Sequence, residues 1–401
     1  MGFFLNVFFG VQEKSVSLYH NKITLYNMEF KVSSSALYSR LTAASKVMGS
    51  KNSMPILDCI LFDVKDGNIT ITASDSEKYY ITTVPTIEQN GEARFCIPAK
   101  TMIDSIKELA EQPLNINFNA DTMEVKGVHS SGSFSVMAQD AAPYPLAKPV
   151  SEGATRLNMP AEVLLNGINR CLFATANDEI RLVMNGIYVD INPDYIIFAG
   201  TDGRKLVRNT NRTIKSGITA GFILPKKVCA ILKTVLNKDE EMVEVLFDTD
   251  KATIKSEDMT MHFRLIEGRY PNYNAVIPQS NPFKANVDRM ALASALKRVS
   301  VFCNQSSGLV KVELSNNSMK LTGQDNEYAT SAEEFLVCEY AASPISIGFS
   351  CQFLLEIANI MESDNITLEV ADPSRPGIIR PAEENSEDEV LMLLMPMRVE
   401  D

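Results

Sequence analysis

The chain repeats one structural unit three times, and this repetition constrains its fold more strongly than any other feature. Similar stretches begin at Phe30, Leu157 and Ala285 and read FKVSSSALYSRLTAAS, LNMPAEVLLNGINRCL and ANVDRMALASALKRVS. Leucine stands at the eighth place in all three, and apolar residues stand at the third and twelfth places. Self-similarity at a near-constant spacing indicates tandem copies of one domain.

Each copy continues with the same order of secondary structure. An alternating strand pair ends in an aspartate, and a short apolar strand then runs into a second amphipathic helix, followed by further strands. This order predicts the α+β class, with two helices and an antiparallel sheet in each of three tandem domains. The predicted helices span 34–47, 99–111, 160–177, 225–238, 288–303 and 351–363. We interpret the recurring Asp75, Asp202 and Asp325 as turn residues, because aspartate commonly hydrogen-bonds its own turn backbone.

The repeat spacing places three domains at 28–150, 151–279 and 280–401, each close to the commonest domain size. Residues 1–27 precede the first strand pattern, which begins at Met28. They include an apolar part but neither the basic stretch nor the small-residue cleavage site of a signal peptide. We interpret them as an upstream start or an appended segment.

The net charge of −12 comes from 38 basic and 50 acidic residues, and an acidic protein is not expected to hold nucleic acid over its whole surface. The predicted helices nevertheless carry twelve basic and seven acidic residues, a net charge of +5, which leaves −17 for the rest. These could be ordinary solvated helix faces. Alternatively, equivalent helices of all domains face a common polyanion. Helix 225–238, with four lysines and no acid, favours this, whereas helix 351–363, with two acids and no base, does not.

Several classes of protein are disfavoured. No apolar run reaches the ~18 residues of a spanning helix, so no membrane partner is expected. The seven cysteines are an odd number without CxxC spacing, which favours a reducing cytoplasm. Only three histidines are present, and no nucleotide-binding, hydrolase or zinc-protease motif occurs, so we expect no catalytic residue, metal or cofactor. These absences favour a clamp or scaffold over an enzyme.

Five motifs carry a resemblance to a known family: MPILDCILFDV from Met54, MNGIYVD from Met184, AGTDGRKL from Ala199, EGRYPNY from Glu267 and MPMR from Met395. In order and spacing they resemble the bacterial sliding clamps, the beta subunits of DNA polymerase III. The resemblance covers nearly the whole chain after residue 27, and several motifs together make it specific.

The resemblance implies the DNA clamp fold, with two chains joined head to tail as a homodimer that forms a six-domain ring around double-stranded DNA. A clamp is non-catalytic and confers processivity by tethering the DNA polymerase III catalytic subunit. The resemblance also implies an ATP-driven clamp loader, and other replication and repair enzymes that bind through short linear motifs. Two alternatives stay open: a tandem-domain peptide-binding scaffold that never encircles DNA, and a tandem-repeat enzyme with its site between domains.

The resemblance further implies a pocket between domains two and three that binds peptide motifs with leucine or phenylalanine anchors. Matched to this sequence, its residues are Arg181, Met184, Thr201, Gly203, Arg204, Lys205, Leu206, Pro271, Val276, Leu393, Leu394, Met395, Pro396, Met397 and Arg398. Ala275, Ser374 and Pro376 differ from a well-studied relative, which leaves the preferred motif open.

DNA contacts are expected from basic residues that match family positions or lie on the basic helices. They are Lys51, Lys100, Arg170, Lys226, Lys227, Lys233 and Lys297. Each could instead be an ordinary solvated surface charge. Asp178, Leu182 and Val183 stand where a relative uses glutamine and two tyrosines against DNA, so contacts from that loop need not occur here.

Closure of the dimer is expected from two apolar pairs that match the family interface. Val301 and Phe302 follow the first helix of domain three, and Phe134 and Val136 lie on a late strand of domain one. The alternative is that all four side chains belong to domain cores. The acidic stretch EENSEDE, residues 383–389, has no family equivalent of that length, and we interpret it as a mobile loop between the last two strands.

Overall fold

A computed structural model describes residues 27–49, 52, 54–238, 242–383 and 385–399. The expectations for residues 1–26 and for Lys51 therefore concern residues outside those described. The described chain forms two compact units. The first runs to residue 154 and includes 244–246 and 251–264, and the second holds 155–243, 247–250 and the chain from 265 onward.

The described residues contain strands and helices in a repeating order. The strands are β1 (Asn27–Ser33), β2 (Cys59–Lys65), β3 (Asn68–Ser74), β4 (Lys78–Pro85), β5 (Glu88–Asn90), β6 (Ala93–Pro98), β7 (Pro113–Asn119), β8 (Glu124–His129), β9 (Gly132–Met137), β10 (Gln139–Asp140), β11 (Thr155–Met159), β12 (Gly186–Asn192), β13 (Tyr195–Thr201), β14 (Lys205–Asn211), β15 (Ala220–Pro225), β16 (Val243–Phe247), β17 (Lys251–Lys255), β18 (Met259–Arg264), β19 (Phe283–Asp288), β20 (Leu309–Ser315), β21 (Ser318–Asp325), β22 (Thr330–Glu339), β23 (Ile345–Ser350), β24 (Asn365–Val370), β25 (Gly377–Pro381) and β26 (Asp388–Leu394). The helices are α1 (Ser34–Ser45), α2 (Ala99–Ile106), α3 (Ala161–Cys171), α4 (Lys226–Val235), α5 (Arg289–Ser300) and α6 (Cys351–Ile360).

The described helices begin within one residue of their predicted starts, and three of the six carry a side-chain cap. The side chains of Ser33, Asp288 and Ser350 accept hydrogen bonds from backbone amides three residues later, which satisfies one of the unpaired donors at each helix start. The helices end two to six residues earlier than predicted. The largest difference is at α3, where the chain tightens into the 3-10 helix Leu172–Ala174.

The first unit contains two antiparallel sheets. One has the strand order β5-β1-β7-β8-β9, and the other includes the run β10-β6-β2-β3-β4-β18-β17. Its core holds Phe62, Phe95 and Phe118, whose successive rings stack at centroid distances of 5.6 and 4.3 Å. Strand β9 ends the five-stranded sheet, so one of its edges pairs with no other strand of the described residues.

The second unit is organised around one antiparallel sheet of twelve strands. Their order is β15-β12-β13-β14-β26-β25-β24-β19-β22-β21-β20-β23. Strand β14 of the second repeat pairs with β26 of the third over seven positions, from Lys205 opposite Leu394 to Asn211 opposite Asp388. Main-chain hydrogen bonds therefore join these two repeats directly.

The prediction that the three recurring aspartates are turn residues is confirmed. The Oδ1 atom of Asp202 accepts hydrogen bonds from the backbone amides of Arg204 and Lys205 at 2.8 and 2.9 Å. Asp75 and Asp325 accept the equivalent pairs of backbone amides in their own turns. The repeated residue thus closes the same turn in each copy.

The expectation of a loop across the whole acidic stretch 383–389 is wrong at its C-terminal end. Strand β26 begins at Asp388, and both Asp388 and Glu389 pair with residues of β14. Their carboxylates bind arginine side chains, which explains why acidic residues can stand in a strand here. Residue 384 lies outside the described residues. No helix in the described part of the chain is long and apolar enough to cross a membrane.

Candidate functional site

A pocket of about 180 Å³ lies in the second unit, beside the pairing of β14 with β26. Its walls are mainly apolar, and a few polar groups stand at its rim. It is lined by Met184, Thr201, Gly203, Arg204, Lys205, Leu206, Pro271, Asn272, Tyr273, Val276, Leu393 and Met395. A small apolar cavity with few polar groups is suited to the side chains of a short peptide.

The turn between β13 and β14 forms one side of the pocket and is fixed by its own hydrogen bonds. The Thr201 hydroxyl donates to the Lys205 carbonyl at 2.7 Å and accepts from the Gly203 amide at 3.1 Å. Gly203 has a φ of +89°, a backbone conformation that residues other than glycine rarely adopt. The pocket side chains on this turn therefore have a preset position.

Lys205 contributes to the pocket wall, but its charge is engaged elsewhere. Its side chain is 7 % exposed, and Nζ lies 3.1 Å from a carboxylate oxygen of Glu356 on α6. The same ammonium lies 3.8 Å from the centroid of the Phe353 ring and 3.7 Å from Asp202. This arrangement ties β14 to α6, so we assign Lys205 to the construction of the pocket rather than to recognition of a ligand charge.

Arg181 stands beside the pocket and is held by a carboxylate. Asp178 accepts from the Arg181 side chain at 2.9 Å and from the backbone amides of Ile180 and Arg181, both at 2.8 Å. The backbone amides of Arg181 and Ile180, with the guanidinium, lower the pKa of Asp178 to about 2. A side chain on Gly203 would approach Arg181 Nη1 at 3.3 Å, so the guanidinium covers the glycine turn without lining the cavity.

The C-terminal residues divide between the pocket and the surrounding structure. Leu393 and Met395 line the cavity, whereas Leu394 between them is buried on the other side of the strand, as strand alternation requires. Met397 instead pairs with Gly348, its amide donating to that carbonyl at 2.8 Å. Pro396 and Arg398 also lie outside the lining.

Asn272 and Tyr273 line the pocket but were absent from the expected residues. Both belong to the motif EGRYPNY, which the sequence did reveal. The motif marks the segment, but only the fold shows that Tyr273 turns inward, where 5 % of it stays exposed.

The helices keep a positive balance within their observed bounds. They carry nine basic and three acidic residues, and three of the nine lie on α4. Lys100, Lys227, Lys233 and Lys297 are exposed, and Lys226 is partly buried, with Nζ 3.4 Å from the Thr175 carbonyl. Four of the expected DNA-contacting lysines are therefore accessible to a polyanion.

The structure argues against the expected DNA contact by Arg170. Its side chain is 13 % exposed, and its guanidinium binds the Asp388 carboxylate and, at 3.0 Å, that of Glu362. Asp388 also accepts a hydrogen bond from the side-chain amide of Asn209 at 2.7 Å. Arg170 is thus neutralised where α3 meets the β14–β26 pairing, and we assign it a structural role.

The four residues expected at a dimer interface differ in exposure. Val301 is 77 % exposed and Phe302 is 37 % exposed, so neither is a core residue. Val136 is 5 % exposed and fits the core alternative, while the half-buried Phe134 ring covers Gly127 of the neighbouring strand. Two further large apolar side chains, Phe335 and Val337 on β22, are 66 % and 87 % exposed and were not singled out from the sequence.

Three family models match the chain in succession. They are the N-terminal, central and C-terminal domains of the DNA polymerase III beta subunit, at residues 28–148, 158–272 and 274–398. The beta sliding clamps of Chlamydia pneumoniae and Vibrio cholerae are 26 % and 24 % identical to it, over alignments that cover 93 % of this chain and 100 % of each relative.

Solved structures give the same result. The DNA polymerase III beta subunit of Thermotoga maritima superposes with a TM-score of 0.85 at 26 % identity. A Pseudomonas aeruginosa sliding clamp bound to griselimycin superposes with a TM-score of 0.87 at 22 % identity. Both comparisons cover 93 % of this chain and 100 % of the other.

The repeated two-helix domains and the antiparallel sheets that they share define the DNA clamp class of protein. Within that class, the three consecutive domain matches identify the family. The chain belongs to the DNA polymerase III beta subunit family, the bacterial sliding clamps. It is a non-catalytic processivity subunit whose family implies DNA and a polymerase as partners, which sets aside the enzyme and DNA-independent scaffold alternatives.

Proposed function

We propose that two copies of this chain close head to tail into a ring around duplex DNA, and that the pocket in the second unit binds a short apolar motif of the polymerase catalytic subunit. The observation that carries the second part is the small apolar pocket beside a rigid strand pairing. Proposed domain boundaries remain 28–150, 151–279 and 280–401.

The chemistry of the pocket favours leucine or phenylalanine side chains from the partner. Leu206, Leu393 and Val276 give it aliphatic walls, and Met184 and Met395 can adjust their rotamers to different apolar shapes. Val276 and Met395 are 52 % and 42 % exposed, so burying them against a peptide would be favourable. Other replication and repair enzymes would use the same pocket through similar motifs.

The proposed DNA-facing residues are Lys100, Lys226, Lys227, Lys233 and Lys297, together with Lys51, which stays a prediction from sequence. A ring keeps its DNA by topology, so it needs only a mildly positive lining. Strong phosphate binding would release counterions and make retention steeply dependent on salt. The modest excess of basic residues on the helices supports a protein that surrounds DNA without gripping it.

For ring closure, we propose that Val301 and Phe302 of one copy meet the half-buried Phe134 on β9 of its partner, with Val136 beneath that surface as a core residue of the same strand. The exposure of the first two side chains supports this, since large apolar groups on a surface commonly mark interfaces. Closure around DNA would require a clamp loader that opens the ring. We place the protein in the cytoplasm, where the seven free cysteines would stay reduced.

Encirclement is tested by loading the protein with its clamp loader on nicked circular plasmid and then linearising the plasmid. We expect retention on circles in moderate salt and release from linear DNA through its ends. Equal loss from both forms would reject encirclement. Mass in solution gives a second check, because a stable monomer at micromolar concentration would count against ring closure.

The pocket is tested by deleting residues 395–401. Loss of Met395 removes part of the cavity lining, so we expect binding of the polymerase catalytic subunit to disappear while the dimer stays intact. Affinity is measured by isothermal titration calorimetry and dimer mass by light scattering. Unchanged affinity for the polymerase would reject the assignment of this pocket.

A further inference from the structure

One wall of the pocket comes from an irregular segment, residues 265–277, which we call the linker. It supplies Pro271, Asn272, Tyr273 and Val276 to the cavity, a third of the lining residues. Apart from the short 3-10 helix Tyr273–Val276, it has no regular secondary structure. The position of this wall must therefore depend on contacts that the linker makes with the neighbouring sheet.

Three side-chain hydrogen bonds join the linker to three successive strands. The Tyr273 hydroxyl donates to Oδ2 of Asp190 on β12 at 2.7 Å. The Tyr270 hydroxyl donates to the Ala199 carbonyl on β13, and Arg208 on β14 donates to Oδ1 of Asn274, both at 3.4 Å. Only the first bond is short, and its acceptor is a carboxylate, which makes it the strongest of the three.

Ring packing places the linker over the sheet but does not fix its position along it. Tyr270 stacks on Tyr188 with a centroid distance of 5.1 Å and an interplanar angle of 11°, and Tyr273 leans on Tyr188 at 6.3 Å and 59°. Stacked rings resist separation, yet they tolerate small sideways shifts. A directional hydrogen bond at the end of the Tyr273 side chain limits such shifts.

Tyr273 is the donor in this bond near neutral pH. Tyr273 is 5 % exposed, and burial together with the Asp190 carboxylate raises its pKa, so that the phenol keeps its proton. Asp190 itself does not line the pocket. Its side chain acts on the cavity only through Tyr273.

We propose that the Asp190–Tyr273 hydrogen bond holds the linker wall in its peptide-binding position, which makes Asp190 a positioning residue for partner binding. The inference rests on the proposed function of the pocket. Without the bond, the wall samples other positions, and the apparent dissociation constant rises by the inverse of the fraction of molecules that stay competent. We expect roughly a fivefold loss of affinity, which corresponds to a competent fraction of about one fifth.

The experiment uses the full chain with Tyr273→Phe, Asp190→Ala, Asp190→Asn and the double variant Tyr273→Phe/Asp190→Ala. Affinity for the polymerase catalytic subunit is measured by titration calorimetry, with dimer mass and thermal unfolding recorded in parallel. The matched control is Tyr144→Phe, which likewise removes the hydroxyl of a buried tyrosine but in the first unit, where that hydroxyl donates to the Thr72 main-chain carbonyl at 3.3 Å. The control should bind polymerase as the parent chain does.

Tyr273→Phe and Asp190→Ala should each weaken binding roughly fivefold, and the double variant should be no weaker than either, because all three lack the same bond. Asp190→Asn keeps an acceptor oxygen and should bind within about twofold of the parent chain. Unchanged affinity of Tyr273→Phe with a lowered unfolding temperature would overturn the proposal, as would multiplied losses in the double variant.

Failure of this inference is distinguishable from failure of the proposed function. If deletion of residues 395–401 abolishes binding while Tyr273→Phe has no effect, the pocket assignment stands and only the positioning role is wrong. If that deletion has no effect, the pocket itself is not the polymerase site.

Discussion

Replacing Arg170 tests whether it is a structural residue or a DNA contact. Arg170→Met removes the guanidinium but keeps most of the apolar stem. The variant leaves Asp388, whose side chain is 19 % exposed, with the Asn209 amide as its remaining partner. Removing one partner of a buried ion pair costs about 3–5 kcal/mol. Because Asp388 keeps its hydrogen bond to Asn209, we expect a cost at the lower end of that range, about 3 kcal/mol.

The second ion pair of Arg170 adds little to that figure. Glu362 is 68 % exposed, and such surface pairs contribute about 0–1 kcal/mol. We therefore expect Arg170→Met to lower the free energy of unfolding by about 3 kcal/mol in guanidinium chloride titrations. A matched control is Lys31→Met, which breaks the exposed Lys31–Glu88 pair and should cost less than about 1 kcal/mol.

For DNA binding, unlike stability, we expect no effect of Arg170→Met. The dependence of DNA affinity on salt should not change in Arg170→Met, whereas the pair Lys227→Ala/Lys233→Ala should flatten it, because each lost phosphate contact lowers the slope by about 0.9. Parental stability of Arg170→Met, together with a loss of about one unit of salt slope, would instead identify Arg170 as a DNA contact.

Three further predictions concern other residues. Burial raises the pKa of Glu389, but Arg208 and Arg380 lower it by more, so the folded-state pKa lies below its ordinary value. The ion pairs of Glu389 therefore stabilise the fold above pH ~4.5, and this stabilisation is lost as pH falls through the folded pKa. In Glu389→Gln, the thermal midpoint should fall at neutral pH and depend less on pH between about 5 and 3; an unchanged acid profile would contradict this. Gly203→Val forces a side chain into a φ of +89° and should cost about 1–3 kcal/mol in chemical unfolding while weakening polymerase binding; parental values of both would argue against the fixed turn. Val301→Asp should produce monomers in sedimentation velocity, whereas Met290→Asp, at a side chain 58 % exposed on α5, should not.

The repeat and its helices could be predicted from sequence because their determinants are local. A cap residue, an alternating strand and a turn aspartate each act within a few neighbours, and Asp202 shows this, since all its backbone contacts lie within three residues. The resemblance to the family identified the chain segments that form the pocket. Which of their residues line the cavity depends on the direction of each side chain. Leu394 and Met397 were expected there and point elsewhere.

What the sequence could not reveal depends on partners far along the chain. Arg170 looked like a free helix cation because Asp388, its carboxylate partner, stands 218 residues later. The same distance made residues 383–389 look like an unpartnered acidic loop. Charge patterns show where cations lie, but the folded chain decides which of them are already neutralised.

The pairing of β14 with β26 has a consequence for how such proteins diverge. Seven positions of main-chain pairing place the pocket, and main-chain groups are the same whatever side chains they carry. Substitutions can therefore alter the cavity's shape and chemistry while its location in the molecule stays constant. Under the proposed function, such substitutions would change which partners bind without moving the place where they bind.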